Sequence, residues 1–236
     1  GCPLARPEAF LASYSDTGTA GDNITSVHQP AFIGNAEANA RIWVFAQQLS
    51  STGTPVGVAQ MIGQAVVGSD NTDGVAGDGL GHWEITSEPL ADGTYAITAR
   101  LEDVAGNVSE LTAPPVQITV DSTLPQRTTI DLVGPDVVSN DLLNVAPIYS
   151  DTGRSTFDNI TQGYAADANV TGNRLVQVRV SAEPNSIVFI KDGEEVIDTF
   201  VMPATVGFVF RTLSLNENPH PLSAETFDTA GNRSAQ

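Results

Sequence analysis

The chain has 236 residues and is strongly acidic, with 28 Asp and Glu against 10 Lys and Arg and a formal net charge of −18. This length is sufficient for two domains that each bury a core, and no apolar run approaches the roughly 20 residues that cross a membrane. The negative charge repels nucleic-acid phosphates and anionic lipids but attracts divalent cations, so we expect neither nucleic-acid binding nor direct membrane insertion.

The first half of the chain contains short alternating segments that are typical of half-buried β-strands, each closed by turn residues. Strands are predicted at residues 40–46, 82–86, 94–101 and 116–120. Trp43, Trp83 and Tyr95 lie on these strands, and we expect all three in the core rather than on a sugar-stacking surface.

The second half continues the same pattern. Strands are predicted at residues 175–180 and 187–190, and an Asp192-Gly193 turn leads into a further strand at 195–197. No convincing amphipathic helix is found. Short strands at turn-punctuated spacing predict an all-β sandwich.

The boundary between the two halves is predicted after Val120, where Pro125 cannot continue a β-ladder. This places the domains at residues 1–121 and 122–236, with an inserted segment near 122–149 in the second. The second domain has no counterpart of the strand at 116–120, which suggests that the chain was cut from a longer array.

Two motifs occur twice in the same order and show that the chain is an internal duplication. Ser-Asp-Thr-Gly at 15–18, followed by Asp-Asn-Ile-Thr at 22–25, returns at 150–153 and 158–161. Asp-Val-Ala-Gly-Asn-Val-Ser at 103–109 returns as Asp-Thr-Ala-Gly-Asn-Arg-Ser at 228–234. Both motifs combine turn-forming residues with side-chain oxygens.

These motifs, together with Gly-His-Trp-Glu-Ile-Thr at 81–86, the residues 90–99 and Val-Asp-Ser-Thr-Leu-Pro at 120–125, resemble the bacterial immunoglobulin-like repeats of giant surface adhesins. The resemblance covers nearly all of the first domain and both ends of the second, while residues 165–221 depart from the pattern. It implies two tandem immunoglobulin-like β-sandwich domains, with neighbouring repeats of the same chain as partners. It also implies calcium near the junctions between repeats.

Calcium takes six to eight oxygen ligands, so a good site draws on more than one loop. We expect a junction site from Asp16, Asp22, Asn23, Asp121, Asp228 and Asn232. Equivalent groups directed at further repeats are Asp103 with Asn107 and Asp151 with Asp158 and Asn159. The alternative is that these residues only form turns, in which Asp and Asn accept hydrogen bonds from their own backbone.

The sequence therefore favours a non-enzymatic, extracellular stalk segment of a cell-surface adhesin, stiffened by calcium and active in adhesion or biofilm formation, with other cell-surface copies as further partners. The first alternative is a surface-layer or filament subunit that is completed by β-strand addition. The second is a glycan-binding module. Cys2 is either a lipid attachment site or an arbitrary feature of the chain start.

Overall fold

The computed structural model describes residues 5–70, 72–133, 165–166, 172 and 174–235. Every secondary-structure element assigned in these residues is a β-strand, which confirms the predicted all-β class. Within the same residues no helix is long and apolar enough to span a membrane. The chain divides into unit 1, which comprises Gly1–Thr123 with Thr229–Asn232, and unit 2, which comprises Leu124–Asp228 with Arg233–Gln236.

Unit 1 is a sandwich of two sheets. Its strands are β1 (Phe10–Leu11), β2 (Ile24–Thr25), β3 (Ala31–Glu37), β4 (Arg41–Leu49), β5 (Gln60–Val66), β6 (Leu80–Thr86), β7 (Gly93–Glu102) and β8 (Val116–Val120). One sheet has the order β1-β3-β6 and the other the order β2-β8-β7-β4-β5. All strand pairs are antiparallel except β2 and β8, which run parallel.

The core of unit 1 follows from the two-residue period of its strands. Ile42 and Val44 on β4, and Ile97 on β7, are fully buried and face Phe32 and Trp83 of the other sheet. Burying each large apolar side chain contributes about 1.5–3 kcal/mol. This core holds β7 in place along its length and thereby positions the loops on either side of it.

The structure corrects the expectation for Trp43. Trp83 and Tyr95 are buried, but Trp43 is half-buried, because Ile42 and Val44 occupy the inward positions on either side of it. Its indole Nε1 donates a hydrogen bond to Gln64 Oε1 at 3.2 Å on the outer face of the sheet.

The described part of unit 2 is also formed by two sheets. Its strands are β9 (Thr129–Leu132), β10 (Ala165–Ala166), β11 (Arg174–Ser181), β12 (Ile187–Asp192), β13 (Glu195–Val201), β14 (Phe208–Leu215) and β15 (Leu222–Phe227). One sheet has the order β10-β11-β14, with β9 also paired to β11, and the other has the order β13-β12-β15. Val178, Val180, Val188, Ile190 and Met202 form the centre of its core.

Strand β15 of unit 2 corresponds to β7 of unit 1. Glu102 at the end of β7 forms a bridge with Val108, and Phe227 at the end of β15 forms the same bridge with Arg233. In unit 1, β7 lies between β4 and β8, whereas β12 is the only strand of the described part of the chain that pairs with β15. In the described part of unit 2, no strand takes the place that β8 has beside β7.

Candidate metal-binding loops

The acidic loops of unit 1 lie at the two ends of the sandwich. Asp121 directly follows β8, whose last residue Val120 pairs with Gly93 at the start of β7. Asn23 precedes β2 and accepts a hydrogen bond from Thr119 N through its carbonyl at 2.9 Å. Asp103 follows the other end of β7, about 33 Å away along a ten-residue strand. The predicted residues are therefore divided between two ends.

Asp16 has one carboxylate oxygen in use and one without a partner. Gly21 N donates to Asp16 Oδ2 at 2.5 Å, which closes the loop between β1 and β2. Asp16 Oδ1 is buried and has no hydrogen-bond partner in the described residues. A buried acceptor that lacks a partner costs about 1–3 kcal/mol, and more when it carries charge. A bound cation at this oxygen would remove that cost.

Asp22 and Asn23 shape the next turn of the same loop. Asp22 Oδ1 accepts a hydrogen bond from Ile24 N at 2.9 Å, an Asx turn of the kind that the sequence alternative predicts. Asn23 has a φ of 59°, a left-handed conformation that Asn tolerates better than most residues. One oxygen of Asp22 is therefore held by the backbone.

The segment Thr229–Asn232 belongs to unit 1 and contacts these loops. Thr17 Oγ1 donates to the carbonyl of Ala230 at 2.5 Å, and Thr19 N donates to the carbonyl of Thr229 at 3.2 Å. Asn232 Nδ2 donates to the carbonyl of Asp121 at 2.8 Å. The structure thus brings Asn232 together with Asp121, two of the residues in the predicted set.

Both carboxylate oxygens of Asp103 accept hydrogen bonds from within the Asp103–Asn107 turn. Asp103 Oδ1 accepts from Ala105 N and Asn107 N, both at 2.8 Å, and Oδ2 accepts from Asn107 Nδ2 at 2.7 Å. These bonds, chiefly those from Asn107, hold the pKa of Asp103 below its ordinary value. A cation would have to share both carboxylate oxygens with these donors.

Asp92 is an acidic residue at the Asp121 end of unit 1 that lies outside the repeated motifs. Its carboxylate accepts hydrogen bonds from Ser122 N at 3.2 Å, Ser122 Oγ at 3.0 Å and Thr123 Oγ1 at 3.3 Å. Burial acts to raise the pKa of Asp92, but these hydrogen bonds and nearby His28 outweigh it and lower the pKa. The sequence feature that points to Asp92 is its place in an Asp-Gly turn directly before the predicted strand at 94–101.

Four predicted ligands remain, one in unit 2 and three in the second copy of the loop. Asp228 belongs to unit 2, where it follows β15. Asp151, Asp158 and Asn159, the second copy of the loop at 16–23, lie outside the described residues.

The donor set fits calcium only with help from neutral oxygens. Among residues 5–70, 72–133 and 174–235, no three His, Cys, Asp or Glu side chains group closely enough to hold a metal ion. A site at the Asp16 end would therefore combine the free Asp16 oxygen with carboxylates such as Asp22 or Asp121 and with backbone or amide carbonyls. Calcium accepts such mixed oxygen sets.

Unit 2 contains a second charged cluster, which is structural. The Glu225 carboxylate is about 9% exposed and forms ion pairs with Lys191, at 2.5 Å, and with Arg233. Burial acts to raise the pKa of Glu225, but hydrogen bonds from Lys191 and Arg233 lower it below the ordinary value. All of its charge is neutralised by these two cations.

A cavity of about 470 Å³ adjoins the β15 edge of unit 2. Leu222, Ala224 and Glu225 of β15 line it together with Arg127 and Ile130. By the alignment of Glu102 with Phe227, the β15 residues that line the cavity correspond to residues 97–100 of β7, of which Ile97 pairs with β8 in unit 1.

A model of the bacterial Ig-like domain family matches residues 57–122. The matched span contains β5 to β8, including the strand pair β7–β8 that places Asp92 and Asp121. A search of curated proteins found no match. The strands and the family match together show an Ig-like β fold, a domain type that is typical of structural modules in surface proteins and is typically non-enzymatic.

Proposed function

We propose that this chain is a non-catalytic stalk segment of an extracellular bacterial adhesin and that calcium bound at its acidic loops stiffens it. The observation that carries the proposal is the buried, unpartnered Oδ1 of Asp16 in a loop whose sequence occurs twice. A repeated motif with an unused buried carboxylate oxygen is better explained by a ligand than by turn formation, because the turn uses only Oδ2 of Asp16 and leaves the buried Oδ1 without a hydrogen bond.

The ion would be held by Asp16 together with oxygens of Asp22, Asn23, Asp121 and Asn232. At the Asp16 end it would tie the loop before β2 to the residues that follow β8. Without it, the negative charges at this end of unit 1 repel each other and the loops loosen. Extracellular calcium modules bind in the range of about 10⁻⁴–10⁻³ M, which is the affinity expected here.

Small-angle scattering and a thermal melt on the full chain, each with millimolar calcium and with a chelator, test this proposal. A higher melting temperature with a longer, stiffer particle supports it. Stabilisation without a change in shape would place the ion inside a unit without a role in stiffness. No response at millimolar calcium would refute the calcium proposal and leave the acidic loops as turns.

One observation favours the alternative of a filament subunit. In unit 1, Thr112 N donates to the carbonyl of Ala99, and Val116 pairs with Ile97, so the β7 edge is covered up to β8. Among the described strands, β15 has only β12 as a partner, and the 470 Å³ cavity adjoins it. A donor strand from another molecule would fill this place.

Sedimentation at micromolar concentration separates these two functions. A stalk segment stays monomeric under these conditions, whereas a donor-strand subunit forms open-ended polymers that lengthen with concentration. Pro219 and Pro221 lie directly before β15 and cannot donate to an added strand, which favours the stalk.

A further inference from the structure

Strand β5 of unit 1 is an edge strand that carries no charged residue and no proline. It ends the sheet β2-β8-β7-β4-β5 in the described part of the chain. Natural edge strands are commonly protected by charged side chains or proline, and β5, Gln-Met-Ile-Gly-Gln-Ala-Val, has neither. Met61 and Val66 on this strand are 53% and 66% exposed.

The lack of charge extends well beyond β5. Residues 42–69 contain no Asp, Glu, Lys or Arg, although the chain as a whole has a net charge of −18. Copies of such an acidic protein repel each other over most of their surface. The edge of β5, which lies within this neutral stretch, is therefore a place where two copies meet little repulsion, and a second copy is the fitting partner.

The backbone of β5 has a short segment with its hydrogen-bonding groups directed outward. Val67 N donates to Ala40 O, its direct partner across the ladder, at 2.8 Å. Because antiparallel ladders alternate, the backbone groups of Ala65 also face β4, and those of Gln64 and Val66 face away from it.

A β-bulge limits this segment on one side. Val44 pairs with Gly63 and Phe45 with Met61, so Ile62 is the extra residue, and its carbonyl accepts a hydrogen bond from Glu88 N at 2.7 Å. The straight part of the edge is thus residues 63–66. In an antiparallel pair centred on Ala65, Gln64 of one copy lies opposite Val66 of the other, and the interface closes on itself as a twofold dimer.

The corresponding edge of unit 2 is different. Strand β13 also ends its sheet in the described residues, but it contains Glu195 and Asp198. The absence of charge on β5 is therefore not shared by the edge strand β13 of unit 2.

From the unprotected edge, its neutrality and its outward backbone groups, we infer that β5 is a homotypic docking strand, through which unit 1 pairs with unit 1 of a second copy. The contact is short and hence weak for single chains. Arrays of such units on facing cells would multiply it through avidity. The inference does not depend on calcium.

Sedimentation velocity of the full chain in chelator tests this inference, from low micromolar concentration to about 1 mM and at about 0.05 M and 0.5 M salt. A dimer that increases with concentration and with salt is expected, because salt screens the repulsion between acidic copies. Val66→Lys should weaken this dimer by about tenfold or more, since one ammonium group enters the pairing strand of each copy. Because Val66→Lys also lowers the net negative charge of the chain, an association that did not involve β5 would become stronger in this variant rather than weaker.

Val58→Lys is the matched control, because Val58 is 77% exposed, lies outside β5 and undergoes the same change. It should leave dimerisation within about twofold of the wild type. Amide exchange in the wild-type protein gives a second readout that needs no variant. Gln64 and Val66 amides should gain protection on dimerisation, while the Ala65 amide should not change.

Three results would overturn the inference. One is a wild-type chain that remains monomeric at 1 mM and high salt, and another is equal weakening by Val66→Lys and Val58→Lys. The third is a dimer that leaves the exchange of Gln64 and Val66 unchanged. Because chelator is present throughout, none of these results bears on the calcium proposal, and failure of calcium binding would leave this inference intact.

Discussion

Leu101 and Ser109 are joined by two hydrogen bonds at the end of β7. Leu101 N donates to Ser109 Oγ at 3.0 Å, and Ser109 N donates to the carbonyl of Leu101 at 2.9 Å. The serine side chain thus takes the place of a backbone partner at a buried position. Thr226 and Ser234 repeat both bonds in unit 2, at 3.1 Å and 2.8 Å. The duplication therefore extends to single hydrogen bonds.

Ser109→Ala should lower the unfolding free energy of unit 1 by about 1–3 kcal/mol, because the buried Leu101 amide loses its acceptor. Ser234→Ala should do the same in unit 2. Ser50→Ala is a control in an exposed turn, where water replaces the hydroxyl. Chemical denaturation measures all three. Losses below about 0.5 kcal/mol for both buried serines would contradict this role.

Asp16→Asn should abolish the calcium response. The variant keeps an acceptor for Gly21 N but loses the charge that attracts the ion. At about 10 mM calcium, the wild-type protein should gain about 1.4–2.7 kcal/mol, which corresponds to a rise of roughly 5–10 °C in melting temperature. The variant should show a rise near zero.

Asp73→Asn is the matched control for this prediction, because Asp73 Oδ1 accepts from Val75 N in an Asx turn that Asn can also form. It should retain the full calcium response. An unchanged response in Asp16→Asn would remove Asp16 from the proposed site.

Gly18→Ala should destabilise unit 1 by about 2–3 kcal/mol. Gly18 has a φ of 76°, and an added Cβ would lie 2.1 Å from the carbonyl oxygen of Thr229. Gly21→Ala separates the two causes, since Gly21 has a φ of 88° but no atom within 4 Å of an added Cβ. It should cost only about 1–2 kcal/mol. Equal losses in the two variants would show that the close contact with Thr229 is not required.

Unit 2 should lose stability in acid through Glu225. Its folded-state pKa lies below the ordinary value of 4.5, so it binds protons less readily in the folded than in the unfolded chain. The stabilisation is therefore complete above about pH 5 and is lost as pH falls through the lowered folded-state pKa. Glu225→Gln should remove this dependence and cost about 2–3 kcal/mol at pH 7. Denaturation curves from pH 7 to pH 3 measure it, and an unchanged acid slope in the variant would contradict it.

The alternation of apolar and polar residues along the sequence predicts several of the strands correctly. The predicted strand at 116–120 coincides with β8, and that at 94–101 falls within β7. Strand β5 was not predicted, because Gly63 and the bulge at Ile62 break its period. Strand β14 was not predicted either, because Phe208, Val209 and Phe210 form a continuous apolar run and Arg211 follows on the face that packs inward.

The acidic loops were located by repetition, but the use of each oxygen depends on tertiary contacts. Asp103 and Asp16 both occur in turn motifs. Both carboxylate oxygens of Asp103 accept hydrogen bonds from its own turn, whereas Asp16 Oδ1 has no hydrogen-bond partner in the described residues. Asp92 was not identified because its partners, Ser122 and Thr123, are about 30 residues away in the chain. Sequence spacing contains no information about such contacts.

The parallel pairing of β2 with β8 gives this part of unit 1 a resistance to force that depends on direction. Ile24 lies beside Thr119, and Thr25 beside Val120, with Asp121 N bonded to the carbonyl of Thr25 at 2.8 Å. A force that pulls the start of β2 and the end of β8 apart acts along both strands and loads their hydrogen bonds together in shear. Antiparallel neighbours pulled from one end would instead open one bond at a time. The β2–β8 pair therefore resists a force applied between the start of β2 and the end of β8 more strongly than an antiparallel pair of the same length would.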